Sequence, residues 1–584
     1  MNSPSPALVA QSAVRRLPRL ALWLLCLAFV LPGFVGREPW RSADIMGFGV
    51  MWEMAQGTAS WLNPQLLGYP TPIDALLSYW LGAWAIQLSS SWLLPDIAVR
   101  IPYILLLGTV LMATWNAVYG LARTPKAQPV LFAFGGEASP TDYARAMADG
   151  GLLALLACLG LALLAHETSS ALAQLAFVAL SFFAVVHLLR GKNFGGIALL
   201  VGLVGLALSG APTVATLLGL GSTVIIGFSP AIPRGKSTKL DSGHSSATPS
   251  RAALLTTFSL PNAGIAALIA LCTAGAVSLA CSLDLWQWRL EAPRGDYQSA
   301  KGLARLLLWF GWPATPLAAW TLWRWRKLWR SPHLALPLWF LMVALGTTLC
   351  TPSADRSLLL GLPALAALAA FALPTLSRTV TALIDWFTLL FFSGWAIIVW
   401  VVWIAMQTGF PTQPAANVAR LAPGFVPTFS PLAFTVALAA TLAWIALVRW
   451  RVGRHRAAIW KSLVLPACGA TLGWVLVMTL LLGPLNFSLS NTRLVEQLTA
   501  ITDAVPGCVE SHGLSAGLVI GLRYHGQVQV EDQDSGCPWL LSNENPADLS
   551  PGVNTLRWVQ QGPILSGPRG GEAVQAYRRL IAAP

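Results

Sequence analysis

The first apolar segment of the chain and its basic flank read RRLPRLALWLLCLAFVLPGFVG (15–36). The apolar part is about as long as a helix that crosses the ~30 Å hydrocarbon core of a bilayer. Only a helix satisfies its own backbone groups in lipid. Short loops rich in Arg and Lys stay in the cytoplasm, so this segment leads outward. No small-residue cleavage site follows, which is typical of an uncleaved signal anchor.

Apolar segments of similar length recur along the chain, and nearly every second gap between them is rich in Arg and Lys. If the basic gaps lie in the cytoplasm, the apolar segments predict thirteen membrane spans. The N-terminus is then in the cytoplasm and the C-terminus outside. The predicted spans are 20–36, 99–122, 150–165, 171–189, 194–210, 213–230, 258–281, 303–322, 334–350, 357–375, 382–407, 431–448 and 462–482.

The composition supports a multi-pass protein of a bacterial inner membrane. Of the 584 residues, 55% are hydrophobic and 10% are charged, whereas soluble globular domains carry about 25% charged residues. The net charge of +13 comes from short loops beside apolar segments. Anionic lipid at the cytoplasmic surface explains this placement better than nucleic acid does.

The pattern predicts an all-α transmembrane domain over residues 1–484 and a small periplasmic α/β domain over 485–584. The first outside loop spans 37–98, and its apolar stretch 74–94 is interpreted as an interfacial helix. In the C-terminal part, TRLVEQLTAITDAV (492–505) predicts a helix. The segments LSAGLVIGLRYHGQVQVEDQ (514–533) and CPWLLSNE (537–544) predict short strands.

Two of the eight cysteines, Cys508 and Cys537, lie in the polar C-terminal part. In an oxidising compartment they could form a disulfide that stabilises the fold by ~3–4 kcal/mol. Two free thiols are the alternative. No cluster of cysteine and histidine has the spacing of a metal site, and nothing in the sequence indicates nucleotide or haem. Cofactor use, including use of a divalent metal, is left open.

Three ionisable residues on outside loops are candidates for catalysis. Asp44 lies in the first outside loop, and His166 and Glu167 form the second, very short one. An ionisable pair between two apolar helices is costly unless it has a function. A carboxylate there could bind or deprotonate a sugar hydroxyl. The alternative is that Asp44 and Glu167 only cap the helices that follow them.

Several stretches resemble the GT-C superfamily of integral-membrane glycosyltransferases, within it the bacterial lipid A aminoarabinose transferases and their protein O-mannosyltransferase relatives. The likeness covers nearly the whole chain. It is carried by EPWRSADIMGFGVMWEMAQGTASWLNPQLLG (38–68), SYWLGA (78–83), DIAVRIPYILL (96–106), ADRSLLLGLPALAAL (354–368), GPLNFSLSNTR (483–493) and the pair Cys508…CPWLL (537–541).

The chain departs from the pattern of that superfamily at three places. The usual Asp-Glu pair of the first loop is replaced by Ala43 and Asp44, so that one acid is absent. The Lys of a following Glu-Lys-Pro motif is missing near 72–74. Gly210–Ala211 stands where a Lys-Gly often follows the fifth span. Arg100, Arg356 and, roughly, Glu167 do match.

The resemblance implies a transferase that takes a sugar from a polyprenyl-phosphate carrier and passes it to a periplasmic glycan or glycolipid, such as lipopolysaccharide. Arginines would neutralise the donor phosphate and improve it as a leaving group. Such interfacial arginines could instead bind lipid headgroups. The candidates are Arg37, Arg41, Arg100, Arg289, Arg294 and Arg356.

Two other functions are compatible with the sequence. Loss of the usual acid and Lys fits a non-catalytic relative that binds lipid-linked sugar or a partner. A transporter ranks last, because that class commonly shows two related halves and charges at the middle of the membrane, whereas this chain shows no internal repeat and few charges within its spans.

Overall fold

The fold is described from a computed structural model of the chain. The described residues are 5–40, 43–70, 75–89, 92–192, 194–229, 262–286, 297–351, 354–453, 458–502, 507–531, 535–543, 558–566 and 572–580.

Most of the described residues are helical. The helices, in chain order, are α1 Arg19–Val30, α2 Ala43–Gln56, α3 Leu76–Ser89, α4 Pro95–Ala98, α5 Arg100–Ala122, α6 Pro140–Ala157, α7 Leu159–Leu164, α8 Ser170–Leu189, α9 Phe194–Leu208, α10 Pro212–Gly227, α11 Ala263–Ser282, α12 Tyr297–Phe310, α13 Ala314–Arg324, α14 Pro332–Cys350, α15 Ala354–Leu359, α16 Leu362–Ala372, α17 Arg378–Thr408, α18 Thr412–Leu421, α19 Pro431–Gly453, α20 Lys461–Leu480, α21 Leu482–Leu489, α22 Thr492–Thr502 and α23 Ala516–Tyr524.

The helices differ strongly in how much of their apolar surface the protein itself covers. Burial reaches 78% for the apolar stretch of α8 and 83% for that of α20, but only 22% for α17 and 11% for α19. Most residues of α6 and all residues of α16 are also buried. Helices α6, α8, α16 and α20 therefore form the centre of the bundle. Long apolar helices that remain this exposed, as α17 and α19 do, are suited to a lipid environment.

Seven of the described helical segments are long and apolar enough to cross a membrane, and four shorter apolar helices accompany them. Helices occupy all thirteen positions predicted from the sequence, but three predicted spans are divided between two helices: 150–165, 303–322 and 357–375. At 303–322 the break is at Pro313, which lacks a backbone N–H for a continuous helix. The count of thirteen, the boundary at residue 484 and the side of each terminus stay predictions.

The C-terminal part contains a five-stranded sheet in the order β4-β3-β5-β7-β6. Its strands are β3 Cys508–His512, β4 Gln529–Glu531, β5 Trp539–Ser542, β6 Trp558–Ser566 and β7 Ala573–Arg579; a two-stranded hairpin, β1 Gln65–Leu66 and β2 Tyr69–Pro70, lies in the first loop. Strand β3 pairs in parallel with β4 and β5, while β7 is antiparallel to β5 and β6. A disulfide joins Cys508 to Cys537.

One strand prediction in this part is only partly correct. Within 514–533, Ala516–Tyr524 forms helix α23, whereas Gln529–Glu531 is a strand. Leu518, Val519 and Leu522 are buried in the same apolar cluster as α22 and β3, and their spacing places them on one face of a helix. The predicted helix at α22 and the predicted strand at β5 are confirmed.

Loops from distant parts of the chain gather at opposite ends of the bundle. At one end the N-terminal arm contacts the first turn of α6, where Arg16 pairs with Asp142. It also contacts the segment before α20, where Ile459 N–H donates to the Ala13 carbonyl. At the other end Trp40 donates to Asn486 and Thr492 donates to Glu38. The first outside loop therefore lies against the C-terminal part.

Candidate functional site

Asp44 lies in the first turn of α2, where the dipole of the helix favours a negative charge. The loop that precedes this helix binds one of its carboxylate oxygens. Oδ2 accepts a hydrogen bond from Arg37 Nη2 at 3.1 Å and one from the Trp40 backbone N–H at 3.2 Å. The Arg37 guanidinium also lies 4.0 Å from the centre of the Trp40 ring. Both charged groups are almost fully buried.

The other carboxylate oxygen of Asp44 binds the loop between α7 and α8. Oδ1 accepts from the Thr168 backbone N–H at 2.8 Å and from Thr168 Oγ1 at 2.7 Å. An ionised carboxylate has about four acceptor positions, and four donors fill them here. Asp44 thus joins two loops that are 124 residues apart and, in this arrangement, has little capacity left to take a proton from a substrate.

A glycine allows this close approach of helix and loop. A Cβ atom at Gly47 would lie 2.6 Å from the Thr168 carbonyl oxygen. That oxygen belongs to the backbone and cannot rotate away, so any larger residue would push α2 from the loop.

His166 lies next to these groups but points into the bundle. It is 1% exposed, and its ring is within 5.4 Å, centre to centre, of the rings of Phe29, Phe34 and Trp474. Its two ring nitrogens contact the carbonyls of Ala162 and Phe29. Burial lowers the pKa of His166 to about 4, which keeps the ring neutral near pH 7. These contacts favour a structural role for the ring.

Glu167 and Arg356 form an ion pair between the α7–α8 loop and α15. Arg356 Nη2 donates to Glu167 Oε2 at 3.0 Å, and the side chains are 27% and 13% exposed, respectively. Arg356 Nε is buried and has no partner among the described residues. Burial raises the pKa of Glu167, whereas the Arg356 charge lowers it. Of the predicted site residues that the structure describes, this pair is the most accessible.

Arg100 holds the chain segment that leaves α1. Its Nη1 donates to the Phe34 carbonyl at 2.8 Å, and its Nη2 lies 3.9 Å from Asp96 Oδ2. Arg37 similarly donates to the His166 carbonyl at 3.2 Å. Both arginines therefore fix backbone segments of the site and are largely shielded from solvent.

The structure brings Asp44, His166, Glu167, Arg100 and Arg356 to the same end of the bundle. The predicted residues Arg41, Arg289 and Arg294 lie outside the described residues. Within the described ranges, no group of three or more His, Cys, Asp or Glu side chains is arranged to hold a metal ion.

A second ion pair at this end of the bundle was not among the predicted site residues. Arg523 Nη1 donates to Glu53 Oε1 at 3.2 Å and links α2 to α23. A signal was present, because Glu53 is a lone carboxylate in the apolar run GVMWEMA (49–55). A buried charge of this kind requires a partner.

Comparison with solved structures identifies the architecture. Two crystal structures of ArnT from Cupriavidus metallidurans superimpose over almost the whole chain. The structure of ArnT bound to undecaprenyl phosphate has a TM-score of 0.58 and 13% identity, covering 96% of this chain and 97% of ArnT. The chain has the fold of ArnT. The apo structure of ArnT gives a TM-score of 0.56, 13% identity and coverage of 95% and 96%.

ArnT is a lipid A aminoarabinose transferase of the GT-C superfamily, so the fold implied by the sequence resemblance is confirmed. The low identity with ArnT agrees with a divergent relative. No protein-family model matches the chain, and no curated protein matches it.

Proposed function

We propose that this protein is a membrane glycosyltransferase that moves a sugar from a polyprenyl-phosphate carrier to an acceptor outside the cytoplasm. The observation that carries the proposal is the accessible Glu167–Arg356 pair at one end of an ArnT-like bundle. ArnT itself was crystallised with undecaprenyl phosphate. The acceptor would be a glycan or glycolipid such as lipopolysaccharide.

The donor phosphate would bind at Arg356. A guanidinium has five N–H donors, and Glu167 occupies one terminal nitrogen of Arg356. The remaining N–H donors of the terminal nitrogens could bind phosphate while the ion pair persists. A charge-assisted contact of this kind stabilises the negative charge that develops on the leaving phosphate. Arg41, Arg289 and Arg294 remain proposed contributors to the same phosphate site.

Glu167 would serve as the general base. Its carboxylate has one described partner, Arg356, and remains partly exposed, whereas Asp44 has four hydrogen-bond donors. Glu167 would remove the proton of the acceptor hydroxyl as that oxygen attacks the anomeric carbon. The bond from that carbon to the phosphate oxygen then breaks with inversion. Asp44 and His166 would act by positioning the loop that carries Glu167.

The location of the reaction follows from the same arrangement. The loops with Asp44 and Glu167 lie at the end of the bundle opposite the N-terminal arm. The positive-inside rule assigns the arginine-rich N-terminal arm to the cytoplasm. We therefore place the site and the domain 485–584 in the periplasm, in a multi-pass protein of the inner membrane.

A turnover assay tests this function. Membranes that contain the protein receive undecaprenyl phosphate linked to a radiolabelled sugar, together with lipopolysaccharide. We expect release of undecaprenyl phosphate and transfer of label to the acceptor. Binding of the donor without release at any acceptor would instead indicate a non-catalytic relative, and a C-terminal reporter found in the cytoplasm would contradict the placement of the site.

The pH dependence of turnover is a further prediction. A base acts only when deprotonated, so kcat/KM should fall as the pH drops through the raised pKa of Glu167, above the ordinary value of about 4.3. Because the Arg356 charge lowers that pKa, Arg356→Gln should move the acid limb to higher pH. Arg356→Lys, which keeps the charge, should move it less. An acid limb that stays in place in Arg356→Gln would argue against Glu167 as the base.

A further inference from the structure

A cavity of about 530 Å³ lies between the C-terminal half of α2 and the segment from α23 to β4. Its volume falls in the range of small-molecule sites. Neither Glu167 nor Arg356 lines it, so it is separate from the proposed donor site. The lining includes Trp52, Gln56, Arg523, Tyr524, Gln529 and Glu531.

The cavity is lined by Glu53 and Arg523, which form the ion pair that was not predicted from the sequence. Glu53 is 7% exposed, and its second oxygen, Oε2, accepts from the Leu67 backbone N–H at 3.1 Å. Arg523 also donates to the Val530 carbonyl at 2.9 Å. These contacts connect α2, the first-loop hairpin, α23 and β4. The walls of the cavity are therefore fixed relative to one another before any ligand binds.

The walls combine aromatic rings with neutral amides. Trp52 and Tyr524 meet edge to face at 5.7 Å between ring centres, and the Tyr524 hydroxyl is held by Asp96 at 3.0 Å. Gln56, Gln527 and Gln529 line the cavity too, and each amide both donates and accepts hydrogen bonds. A sugar ring matches this lining, since its C–H face packs on aromatic rings and its hydroxyls both donate and accept.

The charges of the lining argue against a phosphate or other anion. Glu53 and Arg523 neutralise each other, and Glu531 is the remaining charged side chain among the lining residues. A neutral sugar or an amino sugar is compatible with a lining whose one remaining charge is negative. Strand β4 is also at the edge of the described sheet, where a peptide could add as a further strand, but the aromatic and amide lining favours carbohydrate.

The backbone of Gln527 gives independent support. Its φ of 50° lies in the left-handed region, which a residue with a side chain rarely adopts. Such conformations cluster at ligand-binding and catalytic sites. Here the turn directs the chain from α23 to β4 along the cavity.

We infer that this cavity binds a carbohydrate, and, on the basis of the proposed function, that the sugar is a unit of the acceptor glycan beyond the reacting hydroxyl. Glu53 follows Asp44 by nine residues in the same helix, a rise of about 14 Å. An acceptor of several sugar units could therefore occupy the cavity and still extend toward Glu167.

Glycan binding by the detergent-purified full chain tests the inference. The protein is applied to an array of neutral and amino oligosaccharides of two to four units, and the affinity of the best ligand is then measured. We expect Trp52→Ala and Gln529→Ala each to weaken binding at least tenfold. Gln529 is exposed, so its variant should fold normally. The matched control Gln561→Ala, on the opposite edge strand β6, should bind as the wild type does.

The inference would be overturned if no oligosaccharide were retained above empty detergent micelles, or if the wild type and Gln529→Ala bound the ligand equally. Retention of extended peptides instead of glycans would assign the cavity to a peptide and would overturn it equally. Thermal stabilisation by undecaprenyl phosphate, measured in parallel, separates the two proposals. Glycan binding without that stabilisation would contradict the donor assignment alone; stabilisation without glycan binding would contradict this cavity alone.

Discussion

Arg37→Met is expected to destabilise the protein by about 3–5 kcal/mol, because it leaves Asp44 charged, buried and without its cationic partner. The pair is almost inaccessible to solvent, with side chains 2% and 7% exposed. Breaking it also frees the loop around His166, whose carbonyl accepts from the same guanidinium. The measurement is the Tm of the detergent-purified protein.

The matched control for this variant is Arg16→Met. Arg16 pairs with Asp142 at a similar distance, 3.2 Å, but its side chain is 65% exposed. Exposed pairs contribute about 1 kcal/mol or less, so the Tm should change little. In the double variant Arg37→Met/Asp44→Leu neither charge of this pair remains, and much of the lost stability should return. Equal Tm values for Arg37→Met and Arg16→Met would contradict the assignment of Arg37 and Asp44 as a buried structural pair.

Glu167→Gln is expected to lower turnover by about 10²–10⁴-fold, the usual contribution of a positioned general base. The amide keeps the shape of the side chain but cannot take the acceptor proton. Because Arg356 remains, stabilisation by undecaprenyl phosphate should persist. The measurement is the rate of undecaprenyl phosphate release from the labelled donor, combined with a thermal shift by the free lipid phosphate.

A carboxylate outside the charged cluster provides the control for Glu167. Glu38 lies at the same end of the bundle and accepts from Thr492 Oγ1 at 2.7 Å, so Glu38→Gln should leave turnover nearly unchanged. Asp44→Asn should reduce turnover together with Tm, since Asp44 positions the loop of Glu167 through Thr168. Turnover unaffected by both Glu167→Gln and Asp44→Asn would refute the proposed site.

The sequence predicted the helical bundle well because its signal is local. A run such as α8, SALAQLAFVALSFFAVVHLL (170–189), is apolar on all sides, and its composition alone requires a helix in lipid. Basic gaps predicted that successive loops lie on alternating sides of the membrane, and this assignment stays a prediction. The same reasoning failed for Ala516–Tyr524, because a short apolar run fits either a strand or a helix. In the structure this run packs against α22 as a helix.

The candidate site was predicted only as a set of residues. Asp44, Glu167 and Arg356 were recognisable because charged residues beside apolar segments are rare. Their partners were not predictable, because the two residues of each ion pair lie far apart in the sequence. Glu167 and Arg356 are separated by 189 residues, and Glu53 and Arg523 by 470.

The sequence by itself thus determined which segments are apolar helices and which charged side chains lie near their ends, because hydropathy and charge are properties of each segment. Only the tertiary structure decided that Asp44 has its acceptor positions filled while Glu167 stays accessible. That difference depends on how α2, α15 and the α7–α8 loop pack, and packing is set by contacts between residues far apart in the chain.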